Sequence, residues 1–414
     1  MSTITERRRL DSGAIVVARR NTMTPAVTFL FSFDAGSAFD PPRAPGLAAL
    51  TARMIDRGTP HESAADLAEE IERRGASIEI SSNRQTVMFT ATCLVEDFDD
   101  MLALAARMAR TPSFPVAQLE LRRRETLTRL VQDAENTASL AGARFFERLY
   151  GAGHPYAHPP RGTVESIEKM TRGDLEGFHQ ERMRPARMAV AVVGDMEPVA
   201  ACDRVERALG AWDSKPAANG DTLPKPAAPP ARDISTIEVP GKSQSDIAYG
   251  FLGPGRLDEG YYAFWIMNTV LGQYGMGGRL GENIRERQGM AYYASSSYDA
   301  HRIPGPLLVR AGVDPANVDR TLAAIDFEVT CIARDGITAD EHANAVRYLT
   351  GSIPRMLETN AGIAQFLISV EQFGLGDDFD RRLPALLSAV TREEASASAA
   401  LLDPARAVIA VAGP

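Results

Sequence analysis

Arg184-Pro185-Ala186-Arg187-Met188-Ala189-Val190-Ala191-Val192-Val193-Gly194-Asp195 recurs as Asp403-Pro404-Ala405-Arg406-Ala407-Val408-Ile409-Ala410-Val411-Ala412-Gly413-Pro414. Each copy is a Pro-Ala-Arg turn feeding a short, wholly apolar strand that ends at glycine. Each also follows a helical segment opened by Thr-Arg with acid in the first turn, Thr171-Arg172-Gly173-Asp174 and Thr391-Arg392-Glu393-Glu394, the signature of a capped helix start. The shared order of helix, Pro-Ala-Arg and strand points to a duplicated unit.

Between the copies, residues 214–232 are rich in proline and alanine, with almost no large apolar side chain to bury. Such a segment is an extended, semi-rigid linker. Its position sets one domain at 1–213 and a second at 233–414. In the first, Ala14–Ala18 and Val27–Phe33 read as strands, 46–57 as a helix, Ser63–Glu72 as a capped helix closed by Gly75, and Ile78–Ala91 as a strand hairpin. Helices follow over 96–110, 115–134 and 137–150. The second repeats the theme, with Asp246–Phe251 as a strand and Tyr261–Gly272 as a helix. Strands interrupted by pairs of helices, with hairpins among them, give an α+β class: two homologous domains, each a mixed, largely antiparallel sheet packed with helices.

A chain of 414 residues suffices for two sizeable cores, and 44% hydrophobic with 24% charged residues is ordinary for a globular protein. The net charge of −9, from 45 basic and 54 acidic residues, argues against nucleic acid or an anionic membrane as the main partner. Cys93, Cys202 and Cys331 are odd in number and far apart, so they read as buried free thiols rather than as a disulfide framework or thiolate metal site. The first residues carry Arg7-Arg8-Arg9 with no apolar run after them, and no stretch approaches the ~18 apolar residues of a membrane span. The expected location is the cytoplasm.

The segment Gly46-Leu47-Ala48-Ala49-Leu50-Thr51-Ala52-Arg53-Met54-Ile55-Asp56-Arg57-Gly58-Thr59 resembles the zinc-binding helix of the pitrilysin/insulinase family of inverted zinc metallopeptidases, which includes the mitochondrial processing peptidase. In that family His-x-x-Glu-His lies between a Gly-x-Ala start and a Met-x-x-x-Gly-Thr end. Two imidazoles at i and i+4 grip one Zn²⁺ and the glutamate takes a proton from the bound water. Here the histidine positions are Ala49 and Arg53 and the general-base position is Ala52. Neither alanine has a donor atom, and the arginine carries a charge it does not shed. The family's distal glutamate ligand comes from a helix resembling Glu120–Arg129, and counting from Glu120 puts that position on Arg129. Two arginines then stand where a dication would be, so the resemblance implies no metal in this chain.

Leu149-Tyr150-Gly151-Ala152-Gly153-His154-Pro155-Tyr156, with Arg161-Gly162-Thr163 and Ile167 after it, is similar to a structural run of the same family. His154 and His158 are not a ligand pair, because prolines at 155, 159 and 160 forbid the helix that i, i+4 ligation requires. Where the family presents Asn-Ala on an edge strand that pairs with the bound peptide, this chain has Glu79-Ile80; backbone pairing is retained and an anchoring amide is lost.

In the second half, Arg279-Leu280-Gly281-Glu282-Asn283-Ile284-Arg285-Glu286-Arg287-Gln288-Gly289-Met290-Ala291-Tyr292 resembles the family's Arg-Leu…Leu-Arg-Glu-Lys-x-Gly-Leu-Ala-Tyr segment. The resemblance makes Arg285 and Tyr292 the pair that reaches a zinc site on the opposite half of the molecule. A tyrosine hydroxyl there stabilises developing negative charge on the scissile carbonyl, and the arginine fork holds substrate carbonyls. The alternative is that Arg285 only pairs with a nearby acid and Tyr292 only packs. Just before this segment, Gly272-Gln273-Tyr274-Gly275-Met276-Gly277-Gly278 resembles the family's glycine-rich loop, which makes Gly275, Gly277 and Gly278 substrate-binding candidates. The loop lacks the strand and Gly-Lys-Ser/Thr context of a phosphate loop. The positions that build a zinc centre are altered, and those that serve another chain's centre remain. That pattern implies a non-zinc-binding subunit of a heterodimeric peptidase, with no cofactor of its own. Zinc would lie in a homologous partner subunit, and peptides would be the substrates. The rival is an inactive structural or peptide-binding homologue similar to the core proteins of respiratory complexes.

Overall fold

Both copies of the repeated segment fold alike. Thr171 and Thr391 each close a capping box, accepting a backbone N–H three residues on while the acid there reaches back. Pro185–Arg187 and Pro404–Arg406 are single 3₁₀ turns, and each delivers a fully hydrogen-bonded inner strand. The glycines ending those strands mark close approaches. A Cβ at Gly194 would fall 2.8 Å from Val27 Cβ, and one at Gly413 2.8 Å from Ser245 Cβ.

The computed structural model describes residues 5–210, 212 and 222–414. The first half forms β1 (Thr5–Arg9), β2 (Ile15–Arg20), β3 (Ala26–Phe33), α1 (Leu47–Ala52), α2 (Ala64–Glu72), β4 (Ser77–Ser82), β5 (Val87–Leu94), α3 (Phe98–Arg110), α4 (Val116–Ala134), α5 (Thr137–Tyr150), α6 (Val164–Lys169), α7 (Arg172–Arg182), β6 (Met188–Gly194) and α8 (Pro198–Leu209). The second forms β7 (Asp233–Glu238), β8 (Ser245–Gly253), α9 (Tyr261–Asn268), β9 (Ala291–Tyr298), β10 (Gly305–Val313), α10 (Val318–Asp335), α11 (Ala339–Met356), α12 (Asn360–Phe373), α13 (Phe379–Ala389), α14 (Arg392–Ser398) and β11 (Val408–Gly413). Of the expected linker, 214–221 lies outside the described residues, and Pro224–Pro229 has no regular structure.

The first sheet runs β1-β2-β6-β3-β5-β4 and the second β7-β11-β8-β10-β9. In each, one pair is parallel, β2 with β6 and β7 with β11, and every other pair is antiparallel. Leaving out β1, the two orders superpose strand for strand, so the fold is α+β with duplicated, largely antiparallel sheets.

The compact units differ from the sequence division at 213 and 233. One comprises the chain to Leu130 with Pro159–Thr222 and Pro354–Phe379; the other comprises Val131–His158, Leu223–Ile353 and Asp380–Pro414. The equivalent helices α5 and α12 have therefore exchanged places. In the first unit, α12 covers one sheet face, burying Ile363, Leu367 and Ile368 on Val17, Leu30 and Val193. The opposite face carries the larger core, including Phe29, Phe31, Phe89, Leu50 and Phe98. In the second unit α5 lies on β8 and β11. A Cβ at Gly250 would come 3.0 Å from the ring of Phe145, so glycine there lets the helix settle on the strand. The buried Asp246 carboxylate fixes the start of α5. It accepts from the Thr137 and Tyr293 hydroxyls and, at 3.1 and 3.2 Å, from Gln244 Nε2.

No helix among the described residues is long and apolar enough to cross a membrane. Cys93 and Cys202 are buried free thiols, pushed up by burial to about 12 and about 11, so both remain protonated at neutral pH.

Candidate functional site

Gly46 starts α1 in the left-handed region at φ 93°, and a Cβ on it would lie 2.7 Å from Gly162 Cα. The two motif glycines thus meet backbone to backbone, and Ser166 Oγ donates to the Pro45 carbonyl at 2.7 Å. Asp40 holds the helix start by accepting from Gly46 N at 2.7 Å and Ala48 N at 2.8 Å. Its burial raises the carboxyl to about 7 against the opposing pull of those donors.

The helix expected over 46–57 is shorter. It ends at Ala52, and Ile55–Arg57 continues as a 3₁₀ turn. Leu50, Thr51, Ala52, Met54 and Ile55 are all buried. A single 3.6-residue spiral does not turn five such neighbours inward, so the chain tightens, with Met54 N donating to the Thr51 carbonyl at 2.9 Å. Arg53 still lies one turn beyond Ala49, whose carbonyl accepts its N–H at 3.2 Å.

Arg53 is half-buried between α1 and α4. Its Nη1 donates to Thr126 Oγ1 and its Nη2 to Glu125 Oε2, both at 2.6 Å. Arg122 donates to the same carboxylate at 2.6 Å. Burial and the charge of Arg129 lower the Arg53 pKa, with Glu125 opposing them. Hydrogen bonding from Arg122, helped by the charges of Arg53 and Arg129, holds the Glu125 carboxyl below the usual range. Arg53 and Arg129 are thus brought within electrostatic reach, while Ala49 and Ala52 supply no side-chain donor. The chemistry of this set does not fit Zn²⁺: three arginines surround one carboxylate already engaged by two of them. Among the described residues, no three His, Cys, Asp or Glu side chains gather as a ligand set. The sequence reading missed Glu125 and Thr126, although both lie about one turn from Arg129 on α4.

In the second unit, the segment of Arg285 and Tyr292 is built from uncommon geometry. Thr269–Gln273 and Gly281–Arg287 are π-helical, with Tyr274 N donating to the Thr269 carbonyl at 3.2 Å and Gln288 N to that of Asn283 at 3.1 Å. Such widened turns gather at functional sites. Arg279 anchors the segment through paired bonds of 2.7 and 2.8 Å to Glu341. The Arg285 side chain is 43% exposed, and its one ion pair among the described residues is loose, 3.6 Å to the adjacent Glu286. Tyr292 is the second residue of β9 and has 82% of its surface in solvent, so its ring does not serve packing. Its neighbour Tyr293 turns inward to Asp246, as strand alternation requires.

The glycine-rich loop divides by role. Gly275 adopts φ +66° with open space around it, which suits only glycine. A Cβ at Gly277 would meet the Tyr274 ring at 2.5 Å, and one at Gly278 would meet Gly272 Cα at 2.8 Å. Those two glycines let the loop close on itself. Tyr274 stacks edge-on to Tyr348 at 4.6 Å, and Met276 is 59% exposed.

His154 is fully engaged in its own unit: Nδ1 accepts from Tyr156 N at 3.0 Å and Nε2 bonds the Pro224 carbonyl at 2.9 Å. Glu79 and Ile80 lie on β4, an outer strand of the first sheet.

Two family models match the chain, Insulinase (Peptidase family M16) over residues 15–151 and Peptidase M16 inactive domain over 169–349. An uncharacterized zinc protease of Mycobacterium leprae is 28% identical over 378 residues, covering 89% of this chain and 82% of its own. The non-peptidase homolog YmxG of Helicobacter pylori is 24% identical over 375 residues, 89% of this chain and 84% of that one. The mitochondrial-processing peptidase subunit beta of Caenorhabditis elegans is 24% identical over 364 residues, covering 82% and 76%. A crystal structure described as a peptidase M16 inactive domain from Pseudomonas fluorescens superposes with a TM-score of 0.93 at 27% identity, covering 99% of this chain and 98% of that one.

Proposed function

The chain belongs to the insulinase (M16) peptidase family as an inactive-type member without its zinc-binding residues, and on that premise we propose that it is the non-zinc-binding subunit of a two-chain peptidase. A homologous partner subunit supplies zinc, its ligands and the general base; this chain supplies Arg285 and Tyr292 to the peptide held there. The observation that carries the reading is Tyr292, which keeps its place in the motif and holds 82% of its surface in solvent. A large ring left unpacked costs the chain the burial it would otherwise gain. The loose pairing of Arg285 supports the same role, since its fork remains available for carbonyl oxygens. Tyr292 donates to the scissile carbonyl oxygen as negative charge develops there, Arg285 orients the peptide, and the loop at Gly275, Gly277 and Gly278 lets an extended substrate approach. The complex works in the cytoplasm, and the isolated chain does not hydrolyse peptides.

The test is Tyr292→Phe in the assembled two-chain complex on a quenched peptide. Loss of one such donor lowers kcat by about 10²–10³ with a smaller change in KM. Unchanged turnover with an intact interface sinks the active-site role. It would instead favour a structural or peptide-binding member, a reading supported by the similarity to a non-peptidase homolog.

A further inference from the structure

The first unit holds a pocket of about 570 Å³ that the proposed peptidase role leaves unused. That size suits a small organic ligand. Pro112, Phe114, Met183 and Trp212 give it an apolar wall, and Arg110, Arg184 and Glu176 bring charge to it. Phe114 is the one non-glycine residue with positive φ among the described residues, at 44°. A bulky side chain is rarely held in that region, and such residues cluster where a chain positions groups for function. Its buried ring meets His179 edge-on at 5.8 Å. His179 in turn is fixed through Nε2 to the Ala109 carbonyl at 2.7 Å, and burial keeps the imidazole neutral.

The charges select the ligand. Glu176 is neutralised by Arg172 at 2.7 Å. Arg184 is steadied through Nε to the Gln180 carbonyl. Arg110 is exposed and makes no ion pair or side-chain hydrogen bond among the described residues. Two guanidinium forks beside a carboxylate that is already paired leave the pocket positive and favour an anion, and a planar fork matches a carboxylate in two parallel hydrogen bonds. The geometry points to a binding site for a small amphiphilic carboxylate, its apolar group against Phe114, Met183 and Trp212 and its carboxylate on Arg110 and Arg184. Two sources share that chemistry, the C-terminus of a short peptide ending in a large apolar residue and a free aryl-alkanoic acid.

The chain has two tryptophans, Trp212 and Trp265, so Trp265→Phe in the full-length protein leaves Trp212 as the reporter in the pocket wall. N-acetyl-L-phenylalanine and 3-phenylpropionate each shift its fluorescence saturably at one site, and the neutral N-acetyl-L-phenylalanine amide binds about tenfold more weakly or worse. Arg110→Gln and Arg184→Gln each raise Kd about tenfold, the loss of one charge-assisted contact. Tighter binding of the acetylated amino acid assigns the peptide terminus, and tighter binding of phenylpropionate the free acid. Absence of saturable binding by both acids, equal binding of the amide, or indifference to both arginine changes in proteins with unaltered circular dichroism overturns the site.

Discussion

Arg53 joins α1 to α4 through Glu125 and Thr126, and with its side chain 26% exposed the ion pair is partly screened. Contacts of this kind contribute about 1 kcal/mol or less, so Arg53→Ala lowers stability by about that amount in urea titration. The more telling change restores the motif. Ala49→His, Ala52→Glu and Arg53→His together leave Arg129 facing the new imidazoles, and this triple variant binds no zinc in a metal titration. Adding Arg129→Glu supplies the missing carboxylate and gives stoichiometric binding. His179 sets a pH dependence of stability. Its native pKa is lowered by burial, so below the ordinary histidine value of about 6.5 the unfolded chain takes up a proton that the native chain refuses. The His179 contribution is then full above that value and declines as pH falls through it, while the buried Asp40 carboxyl, raised to about 7, takes up a proton in the native chain and contributes in the opposite sense. Urea midpoints of the protein and of His179→Gln at about pH 7.5 and about pH 5.5 separate the two: the variant gains stability relative to the parent at the lower pH. That Ala49 and Ala52 offer no donor atom and that Arg53 carries a fixed charge was legible in the sequence, because it depends on residue type alone. The pairing of Arg53 with Glu125 was not, because the two are brought together by the packing of helices far apart in the chain.

Among the elements, α5 and α12 show where a local reading stops. Their amphipathic patterns say that one face is buried and leave open which sheet buries it. The strands and capping boxes of the repeat, in contrast, are set by neighbours a few residues away, and their ends were read close to where they lie. Thr171→Ala and Thr391→Ala each remove an equivalent cap, so each costs about 0.5–2 kcal/mol, and urea titration gives similar values for both. Phe145 on α5 is fully buried. Phe145→Ala costs about 3–5 kcal/mol and Leu367→Ala on α12 about 2–5 kcal/mol, read in the same way. The π-helical turns around Arg285 had no signal in the apolar periodicity, which is why Tyr261–Gly272 read as one continuous helix.

For the whole molecule, neither half-sequence contains all of a finished unit. A fragment of residues 1–213 lacks α12 and leaves Val17, Leu30 and Val193 uncovered, and a fragment of 233–414 lacks α5 over β8 and β11. Expressed separately, the fragments bind a hydrophobic dye and aggregate in size-exclusion chromatography; expressed together, they recover the circular dichroism and urea midpoint of the intact chain. The duplication was visible in the repeated Pro-Ala-Arg strand, whereas the exchange of helices leaves no local trace. That exchange also constrains the protein's ancestry. Reciprocal trading of one element between equivalent units is the covalent form of a domain-swapped dimer. Before the two copies were fused, an ancestral single repeat would have lent its helix to a second molecule of itself. Fusion leaves the two copies free to differ, as they do here: the first pairs Arg53 with Glu125, and the second presents Tyr292 to solvent.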